Sequence, residues 1–195
     1  ALAFAKRAGG IVVHDNAYSE ITFERYCAPS LLQAPGAMSR GVEFHSLSKS
    51  YSMAGWRLGF ALGNAEILAG LGKYKGFMDY GIPSFLQKAG IAALSGPPDC
   101  VDRARAEYQK RRDTLSQALD RIGWRVPKPK ASMYVWSSLP ESAAALGSMA
   151  FAQRLILEEG VVLSPGIGFG SERRHRLRRH RRSPPGSRRR VFREA

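Results

Sequence analysis

The sequence predicts an α/β protein followed by a smaller α+β region. Apolar stretches typical of strands alternate with stretches of helical periodicity through residues 11–95. The strand-like stretches end in polar residues, as buried parallel strands do where their carboxyl ends open into a crevice. Gly96-Pro97-Pro98 then breaks the chain, and a long amphipathic stretch follows. We therefore expect a sheet with helices first, a long connecting helix next and a small domain last.

The elements of the first part follow from their apolar patterns and from the residues that bound them. The first ten residues have the pattern of the last turns of a helix that stops at Gly9-Gly10. A connection that contains Pro29, Pro35 and Gly36 separates the first strand from the second. We predict strands at 11–15, 42–47 and 58–62 and helices at 65–77 and 84–95.

The long helix is predicted from its start signal and its apolar stripe. Asp99 is a suitable N-cap, and the amphipathic pattern continues through Arg121. The basic cluster Lys110-Arg111-Arg112 is expected on the solvated face of this helix. Its apolar side is predicted to consist of Val101, Ala104, Tyr108, Leu115, Ala118 and Leu119.

Lys49 stands in the segment that suggests chemistry most clearly, residues 46–57. The segment follows a predicted strand and contains several serines, a glycine and Trp56-Arg57. A lysine that forms a Schiff base with an aldehyde cofactor must lie near groups that bind the anionic part of that cofactor, and hydroxyls with a cation provide them. Most lysines are solvated surface charges, so the interpretation depends on these neighbours. Their spacing suits pyridoxal phosphate.

A second group of polar residues follows the first predicted strand. His14, Asp15, Asn16 and Tyr18 come directly after the apolar run 11–13. An aspartate there could pair with a ring nitrogen of the cofactor and keep that nitrogen protonated, which lets the ring act as an electron sink. A tyrosine could donate a hydrogen bond to the phenolic oxygen of the cofactor. The alternatives are a helix-capping role for Asp15 and a core position for Tyr18.

Together the two segments resemble the fold-type I pyridoxal-phosphate enzymes, and among them the class I aminotransferases. In that family Asp-x-x-Tyr follows a strand, and Ser-x-x-Lys and a later arginine come further along the chain. Here 34 residues separate Asp15 from Lys49, and Arg57 lies eight residues after Lys49. The resemblance implies that Lys49 is the Schiff-base lysine and proton carrier and that Asp15 holds the pyridinium nitrogen. It assigns the phenolic oxygen to Tyr18 and the phosphate to Ser46, Ser48 and Arg57.

Segments further along the chain narrow the resemblance to one subgroup. They look like the bacterial alanine (glutamate-pyruvate) aminotransferases, which transfer an amino group between alanine and 2-oxoglutarate. The sister group that acts on LL-diaminopimelate shares most of these features, and an aspartate-type enzyme is a further alternative. We favour alanine as the amino donor. The segments are Tyr80-Gly81 with Gln87, 108–113, 130–136, 147–152 and 161–170.

The resemblance also implies the domain organisation. Members of this family are much longer than these 195 residues, so we expect the second half of such an enzyme, with a pocket open on one face and poor turnover. The small domain is predicted to contain a strand from Met133 to Trp136 and a helix from Ser148 to Glu159. The predicted domains are a partial large cofactor-binding domain at 1–96, a connecting helix at 97–123, an incomplete small domain at 124–170 and an Arg-rich tail at 171–195.

Most of the basic charge lies in the tail. The chain has a formal net charge of +14, and residues 171–195 contain 11 Arg and 2 Glu. Such a run is typical of a disordered segment that binds phosphate backbones, which gives a second hypothesis, a non-catalytic basic protein that binds nucleic acid. We favour another origin, because the resemblance stops after Gly170 and Arg-, His-, Ser- and Pro-rich sequence is what a GC-rich gene yields in the wrong frame.

The tail is therefore expected to be disordered or frame-shifted. In the family, an arginine from the strand after this point binds the α-carboxylate of the substrate. None of the tail arginines is assigned that role from its position. The sequence therefore assigns no residue of this chain to bind the α-carboxylate of the substrate.

Composition sets the remaining limits. Cys27 and Cys100 have no metal-ligand or disulfide spacing, so we predict reduced thiols and no metal site. No stretch reaches the roughly 20 apolar residues of a membrane span. We expect a cytoplasmic enzyme that uses an amino acid and a 2-oxo acid, as a homodimer in the full-length family, without nucleic acid or membrane. Because part of a sheet leaves open strand edges and exposed apolar surface, an unstable and inactive chain is a third possibility.

Overall fold

The computed structural model of the protein describes residues 1–173 and 176–180, with side chains as far as residue 172. This part of the chain divides into two units. The first contains residues 1–110 and 130–132, and the second contains 111–129 and the described residues from 133 onward. Within the described residues, each unit has its own three-stranded sheet.

The sheet of the first unit follows the predicted strands to within one residue at each end. Strands β1 (Val12–Asp15) and β2 (Gly41–Ser46) pair in parallel, and β3 (Gly59–Gly63) pairs with β2 in the antiparallel direction. The strand β2 is therefore the central one, and its backbone forms hydrogen bonds with a neighbour on each side. Its residue Val42 is only 1% exposed. The predicted α/β arrangement is confirmed for this part.

The first strand is less buried than its apolar sequence suggests. Ile11 and Val13 are 56% and 57% exposed, although the pattern predicted a strand buried on both faces. The reason is the position of β1 in the sheet. It pairs with β2 alone among the described strands, so it forms an edge, and the side chain of Val13 is open to solvent.

Glycine is required where β3 ends. Gly63 has a φ of +142°, and a Cβ atom at this residue would lie 2.3 Å from the carbonyl oxygen of Gly41 and 2.8 Å from the Cα of Val42. Any other side chain would push β3 away from β2. Asn64 then donates its backbone N–H to the oxygen of Gly41 at 2.9 Å, and its side-chain oxygen accepts from the N–H of Ile67 at 3.0 Å. The strand thus passes directly into a capped helix.

The helices of the first unit agree with the predicted periodicity. Gly90 is buried in the second of the two long ones, and a Cβ atom there would lie 2.6 Å from a methyl carbon of Leu58. This close approach places the helix directly beside the start of β3. The helices are α1 (Leu2–Arg7), α2 (Leu47–Ser50), α3 (Ala65–Asp79) and α4 (Ser84–Ser95).

An exposed apolar surface covers parts of α3, α4 and the turn between them. Phe77 is 80% exposed, and Tyr80, in the left-handed conformation that ends α3, is 95% exposed. Open strand edges and exposed apolar surface were expected from a partial sheet, and both are present. The large exposed apolar side chains of this surface are Tyr74, Phe77, Met78, Tyr80, Phe85, Ile91 and Leu94.

The long helix α5 (Asp99–Arg121) has the predicted length and contributes to both units. Asp99 is its first residue and not the residue before it, because the N–H groups of Val101 and Asp102 donate to the oxygen of Pro98 at 2.8 and 3.1 Å. Val101 and Leu119 are buried, as predicted for the apolar side.

The predicted solvated face of α5 is wrong for one residue, since Arg112 is only 5% exposed. Its guanidinium donates to the oxygen of Pro129 at 2.8 Å and to a carboxylate oxygen of Asp113 at 2.9 Å. The ammonium of Lys128 lies 3.0 Å from the same Asp113 oxygen. Burial raises the pKa of Asp113, but the hydrogen bonds from Lys128 and Arg112 outweigh it and lower that pKa. A buried arginine is tolerated here because a carbonyl and a carboxylate accept its hydrogens.

The second unit contains the predicted strand and helix of the small α+β region. Strand β4 (Tyr134–Ser138) and helix α6 (Gly147–Glu159) begin and end within two residues of the predicted positions. The short strand β5 (Ser164–Pro165) follows, and the backbone of Arg176–His180 forms β6. The sheet order is β4-β6-β5, and both pairings are antiparallel.

The strand β6 lies inside the segment 171–195 that was predicted to be disordered or frame-shifted. Of that segment, Ser171–Arg173 form a short 3-10 helix and Arg176–His180 a strand. Residues 174–175 and 181–195 lie outside the described part of the chain, and the hypothesis of a changed reading frame stays a prediction.

A small apolar core holds the second unit together. Leu139, Ala152 and Leu163 form its buried centre. Trp124 meets the ring of Phe151 edge to face at 5.9 Å and donates its indole N–H to the oxygen of Ser138 at 3.0 Å. Removal of this apolar surface from water stabilises the packing of α6 against the end of β4.

Both cysteines are free, as their spacing predicted: Cys27 and Cys100 are exposed thiols. In the part of the chain that the structure describes, the helices are either too short or too polar to cross a membrane. The same residues contain no group of three or more His, Cys, Asp or Glu side chains placed to hold a metal ion.

Candidate active site

The chain segments that carry the predicted site residues lie at one edge of the first sheet. Because β1 and β2 are parallel, their carboxyl ends lie at the same edge, with Asp15 beside Phe44 and the N–H of Asn16 donating to the Phe44 oxygen at 2.8 Å. β2 runs on to Ser46, which pairs with Gly59 at the start of the antiparallel β3. The sheet topology thus brings the chain segments that carry Asp15, Tyr18, Ser46, Ser48, Lys49 and Arg57 to this edge.

Lys49 is held on one turn of helix that grows directly out of β2. Ser46 caps α2, since its hydroxyl oxygen accepts from the N–H of Ser48 at 3.2 Å. Leu47 is 1% exposed, and its N–H donates to the oxygen of Leu58 at 3.1 Å. Lys49 itself is partly buried between the buried residues Ser48 and Ser50. A buried anchor and a cap therefore fix the backbone from which the lysine extends.

Arg57 reaches the same edge from the other side of the loop. Its backbone is left-handed, with φ 52° and ψ 43°, and its guanidinium donates to the oxygen of Ala54 at 3.0 Å. Ser52, in the same loop, also has a positive φ of 55°. Such conformations cost about 1 to 3 kcal/mol each for residues other than glycine and persist where the surroundings enforce them. The exposed guanidinium is left available to an anion.

Asp15 and Tyr18 lie on either side of the turn that follows β1. Asp15 is the last residue of the strand and is exposed, so the alternative role of a helix cap does not apply to it. Tyr18 is partly buried within the turn, and its backbone oxygen accepts from the N–H of Ile21 at 3.0 Å. A carboxylate and a phenol are thus placed within three residues at the end of one strand.

A buried carboxylate that the sequence prediction missed lies behind this edge. Glu43, in the middle of β2, is 1% exposed. Five donors surround it: His14 Nδ1 at 2.7 Å, Asn16 Nδ2 at 3.0 Å, Ser30 Oγ at 2.9 Å, the backbone N–H of Leu31 at 2.7 Å and His45 Nε2 at 2.7 Å. A glutamate between the apolar residues Val42 and Phe44 of a predicted strand was the signal in the sequence.

These contacts decide the charge of Glu43. Burial raises its pKa, but the hydrogen bonds from Asn16, His14, Leu31 and Ser30 outweigh burial and lower the pKa from 4.5 to about 2. The carboxylate is therefore ionised at neutral pH and can only accept. His14 must carry its proton on Nδ1 and His45 on Nε2, because both nitrogens face acceptor oxygens.

The stability of the chain is expected to fall in acid because of Glu43. Its folded pKa of about 2 lies below the ordinary 4.5, so its contribution is complete above the ordinary value and is lost as the pH falls toward the folded value. Urea unfolding from neutral pH into this acid range measures the effect. Glu43→Gln should cost about 3 kcal/mol at neutral pH, and its deficit should shrink as the pH falls. A deficit that does not change with pH would contradict this assignment.

A small cavity of about 90 Å³, with polar and apolar residues in its lining, adjoins the edge within the first unit. Asn16, His45 and Ser46 line one part of it, and Ser50 and Tyr51 another. His45 is stacked on Phe60 with ring centroids 4.9 Å apart. Burial raises the pKa of the Tyr51 hydroxyl, and Cys100 and Glu20 add to this effect. The volume suffices for a few water molecules and not for a cofactor.

The donor set at the edge fits a cofactor with an aldehyde, a phosphate and a basic ring nitrogen. Lys49 supplies an amine for the aldehyde, while hydroxyls and the Arg57 guanidinium match a phosphate. The exposed carboxylate of Asp15 matches a protonated ring nitrogen. These are the groups that the chemistry of pyridoxal phosphate requires.

Comparison with known proteins gives the family to which the chain belongs. The family model for aminotransferase class I and II matches residues 1–180, so the chain belongs to that family. The match continues ten residues past Gly170, where the resemblance was expected to stop, and so includes β6.

Two curated relatives show how close the relationship is. The glutamate-pyruvate aminotransferase AlaC of Escherichia coli is 50% identical over 169 residues, which cover 87% of this chain and 41% of AlaC. An LL-diaminopimelate aminotransferase of Moorella thermoacetica is 45% identical over 168 residues, which cover 86% of this chain and 42% of that enzyme. The chain thus spans less than half the length of the relatives that it matches.

Solved structures confirm the fold. BacF of Bacillus subtilis matches with a TM-score of 0.84 and 35% identity, covering 90% of this chain and 44% of BacF. A probable N-succinyldiaminopimelate aminotransferase of Thermus thermophilus matches with a TM-score of 0.83 and 38% identity, covering 94% of this chain and 48% of that chain. The predicted fold-type I aminotransferase fold, in part of its length, is therefore correct.

Proposed function

We propose that this chain carries the lysine-bearing part of a pyridoxal-phosphate-dependent aminotransferase. The observation that supports it is that the segments carrying Asp15, Ser46, Lys49 and Arg57 lie at one edge of the first sheet. The reaction exchanges the amino group of an amino acid for the oxygen of a 2-oxo acid. When bound, pyridoxal phosphate supplies the electron-withdrawing ring that stabilises negative charge on the substrate carbon.

Each residue at the edge receives a role within this proposal. Lys49 attaches the cofactor and afterwards carries a proton between the two carbons that exchange it. Asp15 keeps the ring nitrogen protonated, and Tyr18 donates to the phenolic oxygen. The phosphate is bound by Ser46, Ser48 and Arg57.

Alanine, with 2-oxoglutarate as acceptor, is the substrate pair that we propose. The support is the higher identity to AlaC, 50%, than to the LL-diaminopimelate aminotransferase of Moorella thermoacetica, 45%. LL-diaminopimelate is the main alternative, because the LL-diaminopimelate aminotransferase of Syntrophobacter fumaroxidans reaches 48%. An aspartate-type specificity is a further alternative. We also propose a cytoplasmic enzyme that acts as a homodimer at full length.

The amino donor can be identified by a single-turnover experiment. The chain is saturated with pyridoxal phosphate, and the decay of the cofactor absorption band is followed after addition of alanine, LL-diaminopimelate or aspartate. We expect alanine to react at least roughly tenfold faster than the others, a difference of about 1.4 kcal/mol. Faster decay with LL-diaminopimelate would reject alanine, and no band that depends on Lys49 would reject the aminotransferase proposal itself.

A further inference from the structure

Glu43 occupies a position that an apolar residue would normally fill. It lies in the central strand of the first sheet and is almost completely buried, yet it is ionised. An ionised carboxylate is costly to bury, and replacing buried ion pairs by apolar residues is often neutral or stabilising. The network of five donors therefore needs an explanation other than stability alone.

The five donors come from three separate stretches of chain. His14 and Asn16 belong to β1 and the residue after it, and His45 belongs to β2. Ser30 and Leu31 belong to the connection between these strands. One carboxylate thus ties the end of β1 and the connection to the strand that leads into Lys49.

The same contacts determine which face Asp15 occupies. Side chains alternate along a strand, and both neighbours of Asp15, His14 and Asn16, turn toward Glu43. Asp15 must therefore lie on the opposite face. On β2 the carboxylate of Glu43 and the ring of His45 occupy the first face, which leaves Ser46 on the face of Asp15.

The register in which β1 pairs with β2 needs contacts like those of Glu43 to fix it. Only four residue pairs join β1 to β2, and β1 is an edge strand among the described strands. A slip by one residue would turn Asp15 to the other face, and the exposure of Val13 shows that apolar burial opposes such a slip only weakly.

We infer that Glu43 is a positioning residue, which holds Asp15 on the same face of the sheet as Ser46, at the edge from which the Lys49 segment extends, and thereby prepares the cofactor-binding edge. This role rests on the proposed function of that edge. Glu43 does not touch the cofactor and acts through Asp15.

A double-mutant cycle tests this inference. The variants are Glu43→Gln, Asp15→Asn and the two combined, with Glu66→Gln, an exposed glutamate of α3, as the matched control. The Kd of pyridoxal phosphate is measured by absorbance on folded protein. We expect Glu43→Gln to raise the Kd about tenfold when Asp15 is present and less than twofold in the Asp15→Asn background. The reason is that the effects of substitutions at coupled residues are not additive. Glu66→Gln should change nothing.

Hydrogen exchange without cofactor provides a second readout. In Glu43→Gln the amide of Asn16, which bonds to Phe44 across the two strands, should exchange at least roughly tenfold faster. The amide of Gly96, which bonds to Ala92 at the end of α4, should keep its rate. If Glu43→Gln does not fold, His14→Leu makes a milder version of the test, because it removes one of the two contacts that tie the carboxylate to the end of β1 and leaves the contact of Asn16.

The outcomes separate the two proposals. Faster exchange confined to the strand ends, together with a coupled loss of affinity, supports Glu43 as a positioning residue. The inference is overturned if the two substitutions lower the affinity for pyridoxal phosphate independently, so that their effects multiply. It is also overturned if amide exchange in Glu43→Gln is unchanged or is faster throughout the chain. If the wild-type chain shows no cofactor binding that depends on Lys49, the proposed function fails, and the exchange rates alone decide whether Glu43 fixes the register.

Discussion

Replacing Lys49 with alanine is expected to abolish the visible absorption that develops when pyridoxal phosphate is added to the chain. The band requires a covalent bond to an amine, and the amine must be held beside groups that bind the phosphate. Lys49 is held in that way by the capped turn α2, with Ser46 and Ser48 beside it. The loss should be complete, because no weaker interaction can replace the bond.

Two further variants make the result specific. Lys49→Arg keeps the positive charge but cannot form the bond, so it should also lack the band. Lys88→Ala removes an exposed lysine of α4 and should leave the band unchanged. An undiminished band in Lys49→Ala would show that another amine reacts and would remove the basis of the site.

Replacing Asp15 with asparagine is expected to slow the reaction with the amino donor roughly a hundredfold, while covalent attachment to Lys49 persists. A carboxylate close to a ring nitrogen raises the pKa of that nitrogen by about 1 to 3 units. A shift of two units changes the protonated fraction of the nitrogen about a hundredfold near neutral pH. Asparagine has nearly the same shape as aspartate and lacks the charge. The measurement is the decay rate of the cofactor band after addition of alanine.

The control for this variant is Asp79→Asn, at the exposed end of α3, where the carboxylate pairs with Lys75. Its decay rate should match that of the wild type. The role given to Asp15 is wrong if Asp15→Asn reacts at the wild-type rate, or if it loses the covalent band as completely as Lys49→Ala does.

The sequence was sufficient for the helices and strands, and the resemblance supplied the candidate site residues. The apolar patterns predicted strands β1 and β2, and the parallel pairing that the structure adds puts Asp15 and the segment around Lys49 at one edge. The break at Pro97-Pro98 and the apolar stripe fixed the long helix α5 in the same way. Local patterns of this kind depend on few distant contacts.

The features that escaped prediction depend on contacts between distant segments. Arg112 was expected in solvent and is buried, because the carbonyl of Pro129 lies 2.8 Å from its guanidinium. Glu43 draws its donors from residues as far away as His14, 29 positions earlier in the chain. β1 was predicted as a buried strand, yet its edge position leaves Val13 exposed. Composition and periodicity carry no information on such pairings.

Covalent attachment of pyridoxal phosphate to Lys49 can be located by chemical reduction of the bond followed by peptide mapping. The chain is mixed with pyridoxal phosphate, reduced with borohydride, digested and analysed by mass spectrometry. We expect the pyridoxyl mass on the peptide that contains Lys49 and not on the peptides that contain Lys73 and Lys88. A label on those lysines at comparable yield, or no label on Lys49, would contradict it.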